Sequence, residues 1–322
     1  MGASGTAPSF SAAYGSGIIK RYYIPLLFGL FVLLGAIIAG DKVIDTIGGA
    51  VLPAEHMSLV VVSIVLMAAA LSIFFANLLK VPQSTSQSTV FALVGCAVPL
   101  QILDSTRLIN EMVPTWLIMP LVSFVVAYGL GFIFLKAKKQ ADSYGFKKVS
   151  KSPLWKYITI GCSCYVAFSI GSNNVANSAG PLVSLAVNEF NVSGENTLVM
   201  LISIIFIAPW FGIGSAILGR GVTKTIGKEI IQIGVLGATF ISIITATLLL
   251  LASTTLGVPT SLVQMNAFAV IALGILKTGP RQILSRLSML KLFTVWIVAP
   301  VIALTIAYLM SISALKIGLL TL

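Results

Sequence analysis

IGSNNVANSAGP, residues Ile170 to Pro181, places Asn173, Asn174, Asn177 and Ser178 in a stretch without a charged residue between Lys156 and Glu189. Asparagine is a modest helix former because its amide competes for nearby backbone groups. Gly171 ahead of the amides and the Gly180-Pro181 pair behind them add breakers. A membrane helix interrupted here exposes free N–H groups at one broken end and free carbonyls at the other. Such backbone is tolerated at depth only where protein buries it or it lines a wet cavity. The N–H end carries partial positive charge and can hold an anion without a formal cation. Amide and hydroxyl groups of Asn173, Asn174, Asn177 and Ser178 would complete the cage.

The rest of the chain sets that stretch in a bilayer. Of 322 residues, 57% are hydrophobic and 9% charged, with a mean hydropathy of +1.04. A soluble domain carries roughly 25% charged residues, so the composition predicts an all-α integral membrane protein. The apolar runs, roughly 18 to 28 residues long, suffice to cross the hydrocarbon core as helices. No alternating pattern of a membrane β-barrel is present. The net charge of +11 reads as orientation and contact with anionic membrane lipid, not as nucleic-acid binding. Cys96, Cys162 and Cys164 read as small buried residues. The opening residues do not resemble a cleavable signal peptide.

Internal repeats divide the chain. GDKVIDTIGG at 40–49 and GRGVTKTIGK at 219–228 share G-x-x-V-x-x-T-I-G. VPQSTSQ at 81–87 and VPTSLVQ at 258–264 share V-P-x-S-x-x-Q, and GASGTAPS at 2–9 answers to GSNNVANS at 171–178. The offsets are 179, 177 and 169 residues, in the same order. Each half holds five hydrophobic segments, at 1–17, 22–39, 58–80, 82–100 and 114–136, then 157–188, 197–218, 230–257, 259–276 and 292–315. Five is odd, so the second copy enters the membrane in the opposite sense, as an inverted-topology repeat. The expected organisation is one transport domain over 1–322: a first repeat at 1–136, a basic cytoplasmic linker at 137–156 and a second repeat at 157–322. Alternation from that linker puts 17 of the 20 basic residues inside and both termini outside. No segment has an acid or base in its interior, where pumps and proton relays usually carry one.

The V-P-x-S stretches supply a second wall. Pro82 and Pro259 suit the first turn of a half-helix, followed by Ser84, Thr85, Ser86 and Gln87, and by Thr260, Ser261 and Gln264. With broken or re-entrant helices meeting at the midplane, these face the Asn-rich signature and its first copy, where Ser4, Gly5 and Thr6 stand. Any single Ser or Thr here could instead be interhelical glue. The frames at 40–49 and 219–228 read as structural loop caps, and His56 and Arg107 as solvated loop residues. Asn191-Val-Ser193 is too short a glycosylation match to weigh.

GSNNVANSAGP resembles the signature of the inorganic phosphate transporter family, commonly G-A-N-D-V-A-N-A-x-G. VPQSTSQS and VPTSLVQ resemble its P-V-S-T-T-H segments, and GDKVIDTI its G-x-x-V-x-x-T-I element. The opening GASGTAPSFSAAYGSG resembles the CysP-type sulfate permease branch. The resemblance implies an inverted-repeat anion permease with substrate between the signature segments and the Pro-Ser-Thr hairpins. The departures matter. The family's Asp position is Gly5 in one copy and Asn174 in the other; its Asn positions are Ser4 and Pro8, then Asn173 and Asn177. Gln87 and Gln264 stand where the family often has His. No carboxylate remains for the usual sodium chemistry.

That loss suggests a substrate. Phosphate near neutral pH carries acidic hydrogens, whereas sulfate only accepts hydrogen bonds. A cage made mainly of donors suits the aprotic anion, since a phosphate hydroxyl would go unpaired. Sulfate leads, with thiosulfate, molybdate or phosphate behind it. Alternating access is the expected mechanism. Moving charge against an inside-negative potential costs about 2.3 kcal/mol per charge per 100 mV, so cation flux must accompany accumulation. The resemblance favours protons, with sodium as the alternative. Neither a cofactor nor a metal site is expected, and the chain is not expected to be an enzyme. A passive anion channel is the rival reading; a homodimer remains open. No counterpart of Trp155–Ile170 precedes Gly2, so the sequence is either shortened or begins inside the first broken helix.

Overall fold

The computed structural model describes residues 1–79, 83–140, 153–190, 197–233, 235–284 and 287–321. Helices account for most of these residues, and no strand occurs among them. The first half holds α1 (Gly2–Gly15), α2 (Ile24–Ala39), α3 (Asp41–Gly49), α4 (Leu59–Leu78), α5 (Thr85–Ala97) and α6 (Val113–Gln140). The second holds α7 (Pro153–Asn174), α8 (Ala176–Phe190), α9 (Thr197–Ile233), α10 (Val235–Leu251), α11 (Leu262–Thr278), α12 (Pro280–Leu284) and α13 (Leu287–Lys316). Among the described residues, six helices are long and apolar enough to span a bilayer. Their outer faces remain apolar: Leu26, Leu30 and Ile38 on α2 and Leu117, Leu121 and Val125 on α6 are exposed. Phe10, Phe28, Ile44, Leu93, Ile170 and Leu249 are fully buried between the helices. This is a multi-pass membrane protein.

Helix breaking occurs inside the Asn-rich stretch, at Val175. Helix α7 stops at Asn174 and α8 starts at Ala176. The N–H groups of Ser178 and Ala179 both converge on the Val175 carbonyl, at 3.0 and 2.9 Å. In the first half α1 runs on through Pro8. Two expectations need correction. Residues 41–49 form helix α3, and 219–228 lie within α9, so neither frame is a loop cap. The shared Val43, Thr46 and Ile47 of the first frame, together with Ile44, recur at helical spacing and are buried on α3. Helix α3 packs on α8, where the Ser184 hydroxyl donates to the Gly48 carbonyl at 2.7 Å.

Packing in the two halves is reciprocal. Helix α1 lies against α9, and α7 against α2. Likewise α5 lies against α13, and α11 against α6. Two close approaches match residue by residue. A Cβ on Gly2 would sit 2.1 Å from the Phe211 carbonyl oxygen, and one on Gly171 would sit 2.1 Å from that of Val32. Gly2 and Gly171 are repeat partners at offset 169, and Val32 and Phe211 correspond at offset 179. Backbone-on-backbone approach of this kind requires the missing side chain. A further repeated frame, which the sequence reading missed, is W-x-x-x-P-x-x-x-x-x-x-A-Y. It occupies Trp116–Tyr128 on α6 and Trp296–Tyr308 on α13, offset by 180.

A methyl group at Gly171 must push α2 away from α7. Gly171→Ala is expected to cost about 1–3 kcal/mol of stability, read as a lower thermal midpoint in detergent. Gly161→Ala is the control: it lies on the same helix with nothing within 4 Å of its added Cβ, and should leave the midpoint unchanged or slightly higher.

Candidate functional site

The two V-P-x-S stretches end in the same device. Ser84 caps α5, its hydroxyl oxygen accepting from the Gln87 N–H at 3.2 Å. Ser261 caps α11, accepting from the Gln264 N–H at 3.3 Å. The caps therefore lie beyond the prolines. Pro259 precedes the Ser261 cap by two residues and is not in the first helical turn, while Pro82 lies outside the described residues. The glutamines that follow meet each other. Gln87 Nε2 donates to Gln264 Oε1 at 3.1 Å, and Gln264 Nε2 donates to Gln87 Oε1 at 2.9 Å, both buried.

Asn173 ties this wall to the broken helix. Its Oδ1 accepts from Ser86 Oγ at 3.1 Å and from the Thr260 N–H at 3.3 Å, while its Nδ2 donates to Ser253 Oγ at 3.0 Å. Ser253 lies in a π-helical turn, Ala252–Leu256, that continues α10. Gly257, at φ 63°, then reverses the chain into Val258 and Pro259. The Trp116 indole donates to the Pro259 carbonyl at 2.7 Å, fixing that turn from α6. Asn177 Nδ2 reaches Ser86 Oγ at 3.3 Å and Thr85 Oγ1 at 3.4 Å.

A narrow cavity opens between these elements. Ser4, Gly5 and Pro8 line it from α1, and Ile170 and Asn174 from α7. Gln83, Ser84 and Thr85 form the α5 side, and Thr260, Ser261, Leu262 and Val263 the α11 side. None of these side chains is ionisable. Two helix N-termini face the space, each with unpaired N–H groups and the positive end of its dipole. The hydroxyls of Ser84, Thr85 and Ser261 donate to no described residue. Asn174, 8% exposed, likewise has no hydrogen-bond partner among the described residues. Those four side chains have protons to give. Thr260 and Ser4 have spent theirs, on the carbonyls of Val258 at 2.8 Å and Met1 at 2.8 Å.

Of the residues singled out from sequence, Ser4, Gly5, Ser84, Thr85, Asn174, Thr260 and Ser261 come together at this cavity. Ser86, Gln87, Asn173, Asn177 and Gln264 form the hydrogen-bonded wall beside it. Thr6 and Ser178 do not belong. Thr6 lies on the face of α1 away from Ser4, Gly5 and Pro8, where its hydroxyl donates to the Gly2 carbonyl at 2.7 Å. Ser178 points to Met1 Sδ at 3.5 Å and lines a separate apolar cleft between α4 and α9. Sequence reasoning missed Gln83 and Pro8. Gln83 occupies the variable position of V-P-x-S, the place Thr260 holds in the other copy, and both line the cavity. Pro8 has no N–H to offer the Ser4 carbonyl four residues back.

Crossing membrane helices around a neutral, donor-lined cavity at helix ends, taken with the family and relatives that the chain matches, mark a transporter. The chain belongs to the phosphate transporter family, which its residues 1–307 match. It is 34% identical over 311 residues to the sulfate permease CysP of Bacillus subtilis, covering 96% of this chain and 83% of that protein. Its fold matches a solved structure described as the sodium-dependent phosphate transporter, with a TM-score of 0.80 at 20% identity, over 98% of this chain and 95% of that one.

Asn173 is fully buried and bonded on both ends of its amide, whereas Asn174 is not. Asn173→Ala is therefore expected to lower stability by about 1–3 kcal/mol, and Asn174→Ala to leave it nearly unchanged. Thermal unfolding of the two variants in detergent checks the contrast.

Proposed function

We propose that the protein is an inorganic anion permease that works by alternating access, with sulfate as its leading substrate. The observation that carries the anion reading is the set of uncommitted donors, Ser84, Thr85, Ser261 and Asn174, gathered at the N-termini of α5 and α11. An oxyanion placed there meets hydroxyl and amide protons and two helix dipoles without any formal cation. Sulfate is favoured by the 34% identity to a sulfate permease over nearly the whole chain and by the absence of an ionisable side chain from the cavity.

The two halves, 1–136 and 157–322, are read as inverted repeats joined by the basic linker 137–156. The paired contacts α1 on α9 with α7 on α2, and α5 on α13 with α11 on α6, support that reading. In this scheme one half rocks against the other and carries the cavity from face to face. The linker then lies in the cytoplasm and both termini outside, by the distribution of basic residues. Charge movement must be offset, and protons are the proposed coupling ion by the likeness to the sulfate permease. A single chain completes the site, so a homodimer is compatible with it but not needed for it.

A second reading, sodium-coupled phosphate uptake, draws on the fold match to a transporter of that description. Uptake of radiolabelled sulfate and phosphate into proteoliposomes, under separately imposed proton and sodium gradients, decides between them. Sulfate uptake driven by an inward proton gradient and trans-stimulated by internal sulfate is expected. Sodium-dependent phosphate preference would replace this reading, and uptake without trans-stimulation would make the protein a channel. At the site, Asn174→Ala and Ser261→Ala should each weaken substrate affinity roughly tenfold, the worth of one charge-assisted hydrogen bond. Normal affinity in both variants would remove the cavity from the pathway.

A further inference from the structure

One oxygen in the cavity wall contradicts a donor-only cage. Gln83 lines the cavity and is 2% exposed. Its Nε2 donates to Ser72 Oγ at 3.3 Å and to Ser88 Oγ. Both hydroxyls have already committed their protons. Ser72 donates to the Ala299 carbonyl at 2.6 Å, and Ser88 to the Ser84 carbonyl at 3.2 Å. A hydroxyl has one proton, so towards Gln83 these oxygens can only accept. That assigns the amide: the NH2 faces the serines and Oε1 faces away, because the flipped amide would set a carbonyl oxygen against two lone-pair oxygens. Oε1 is left buried, without a partner among the described residues.

The cavity lining thus holds four donor side chains and, at Gln83, a buried acceptor that no described residue satisfies, beside the Asn174 carbonyl and hydroxyl oxygens that can also accept. A fully deprotonated tetrahedral anion pairs with the donors and leaves Gln83 Oε1 facing another oxygen. An anion that keeps one O–H pairs with both kinds of group. An unsatisfied buried acceptor is costly enough to bias the choice by roughly tenfold or more. We infer that Gln83 is a specificity-determining residue whose Oε1 accepts a hydrogen bond from an O–H on the bound anion, giving the cavity affinity for singly protonated oxyanions beside sulfate. The inference rests on the reading of this cavity as the anion site.

Hydrogen phosphate and monofluorophosphate supply the test. They are close in shape and both can be presented as dianions, but fluorine in place of hydroxyl removes the O–H. Each is titrated as a competitor of sulfate exchange in proteoliposomes, and as a ligand in thermal-shift measurements on the full chain, at a pH where hydrogen phosphate is the dianion. In the unsubstituted protein hydrogen phosphate is expected to bind roughly tenfold more tightly than monofluorophosphate. In Gln83→Met, similar in length but without the amide, that difference is expected to vanish, as read by the thermal shifts of the two probes. Where Gln83→Met does not fold, Gln83→Leu, which likewise lacks an acceptor, is the variant used. Equal binding of the two probes by the unsubstituted protein would overturn the inference. So would a preference that survives substitution, or loss of sulfate exchange and of both probes together in a folded variant. Absence of sulfate exchange from the unsubstituted protein, with probe discrimination intact, would sink the sulfate reading and spare this one. Binding of no anion at all would end both.

Discussion

A helix that stops inside packed protein must find partners for the backbone groups it releases. Here α5 and α11 start at buried serines and α7 yields to α8 at a single bend. The local solutions are side chains. Ser84 and Ser261 satisfy one N–H each, and Asn173 satisfies the Thr260 N–H while bridging to Ser86 and Ser253. The uncommitted hydroxyls of Ser84, Thr85 and Ser261 line the cavity. The same requirement that permits the helix ends therefore creates a place where negative charge is welcome, without importing a lysine or arginine into the interior.

Close packing holds those ends in position. Gly2 and Gly171 admit carbonyl oxygens of Phe211 and Val32 at distances that no side chain allows. Gly35 does the same for Phe168, with its hypothetical Cβ only 1.9 Å from that carbonyl oxygen. Between apolar helices in lipid there is little hydrophobic drive to associate, so intimacy of packing substitutes for it. Helix α2 is gripped in this way through Val32 and Gly35 on α7, and its Gly29 also lies close to Gly212 of α9. The bend at Val175 thus begins from a firmly seated α7.

Much of this was legible in the residues. The V-P-x-S frames marked the two serine-capped helix starts, and the cluster of asparagines marked the bend. What failed did so for identifiable reasons. Asp41, Asp45 and the flanking glycines made 40–49 look like a loop, although Val43, Ile44 and Ile47 carry a helical period that buries one face. The frame shared by Trp116–Tyr128 and Trp296–Tyr308 has few identities scattered through interchangeable apolar residues. Thr6 and Ser178 were grouped with neighbours along the chain, whereas a helix turns adjacent residues about 100° apart. Gln83 escaped notice because its role depends on Ser72, on another helix, having already spent its proton. No linear pattern records whether the one hydrogen of a hydroxyl is already in use.

The Gln87–Gln264 pair has an evolutionary implication. Each amide gives one hydrogen to the other and takes one back, so the contact is its own mirror. A single drift at either position to a side chain with only one polar end strands half of the surviving partner in a buried setting. Lineages that depart from glutamine at one of these two places should depart at both, and the two codons should covary although 177 residues separate them.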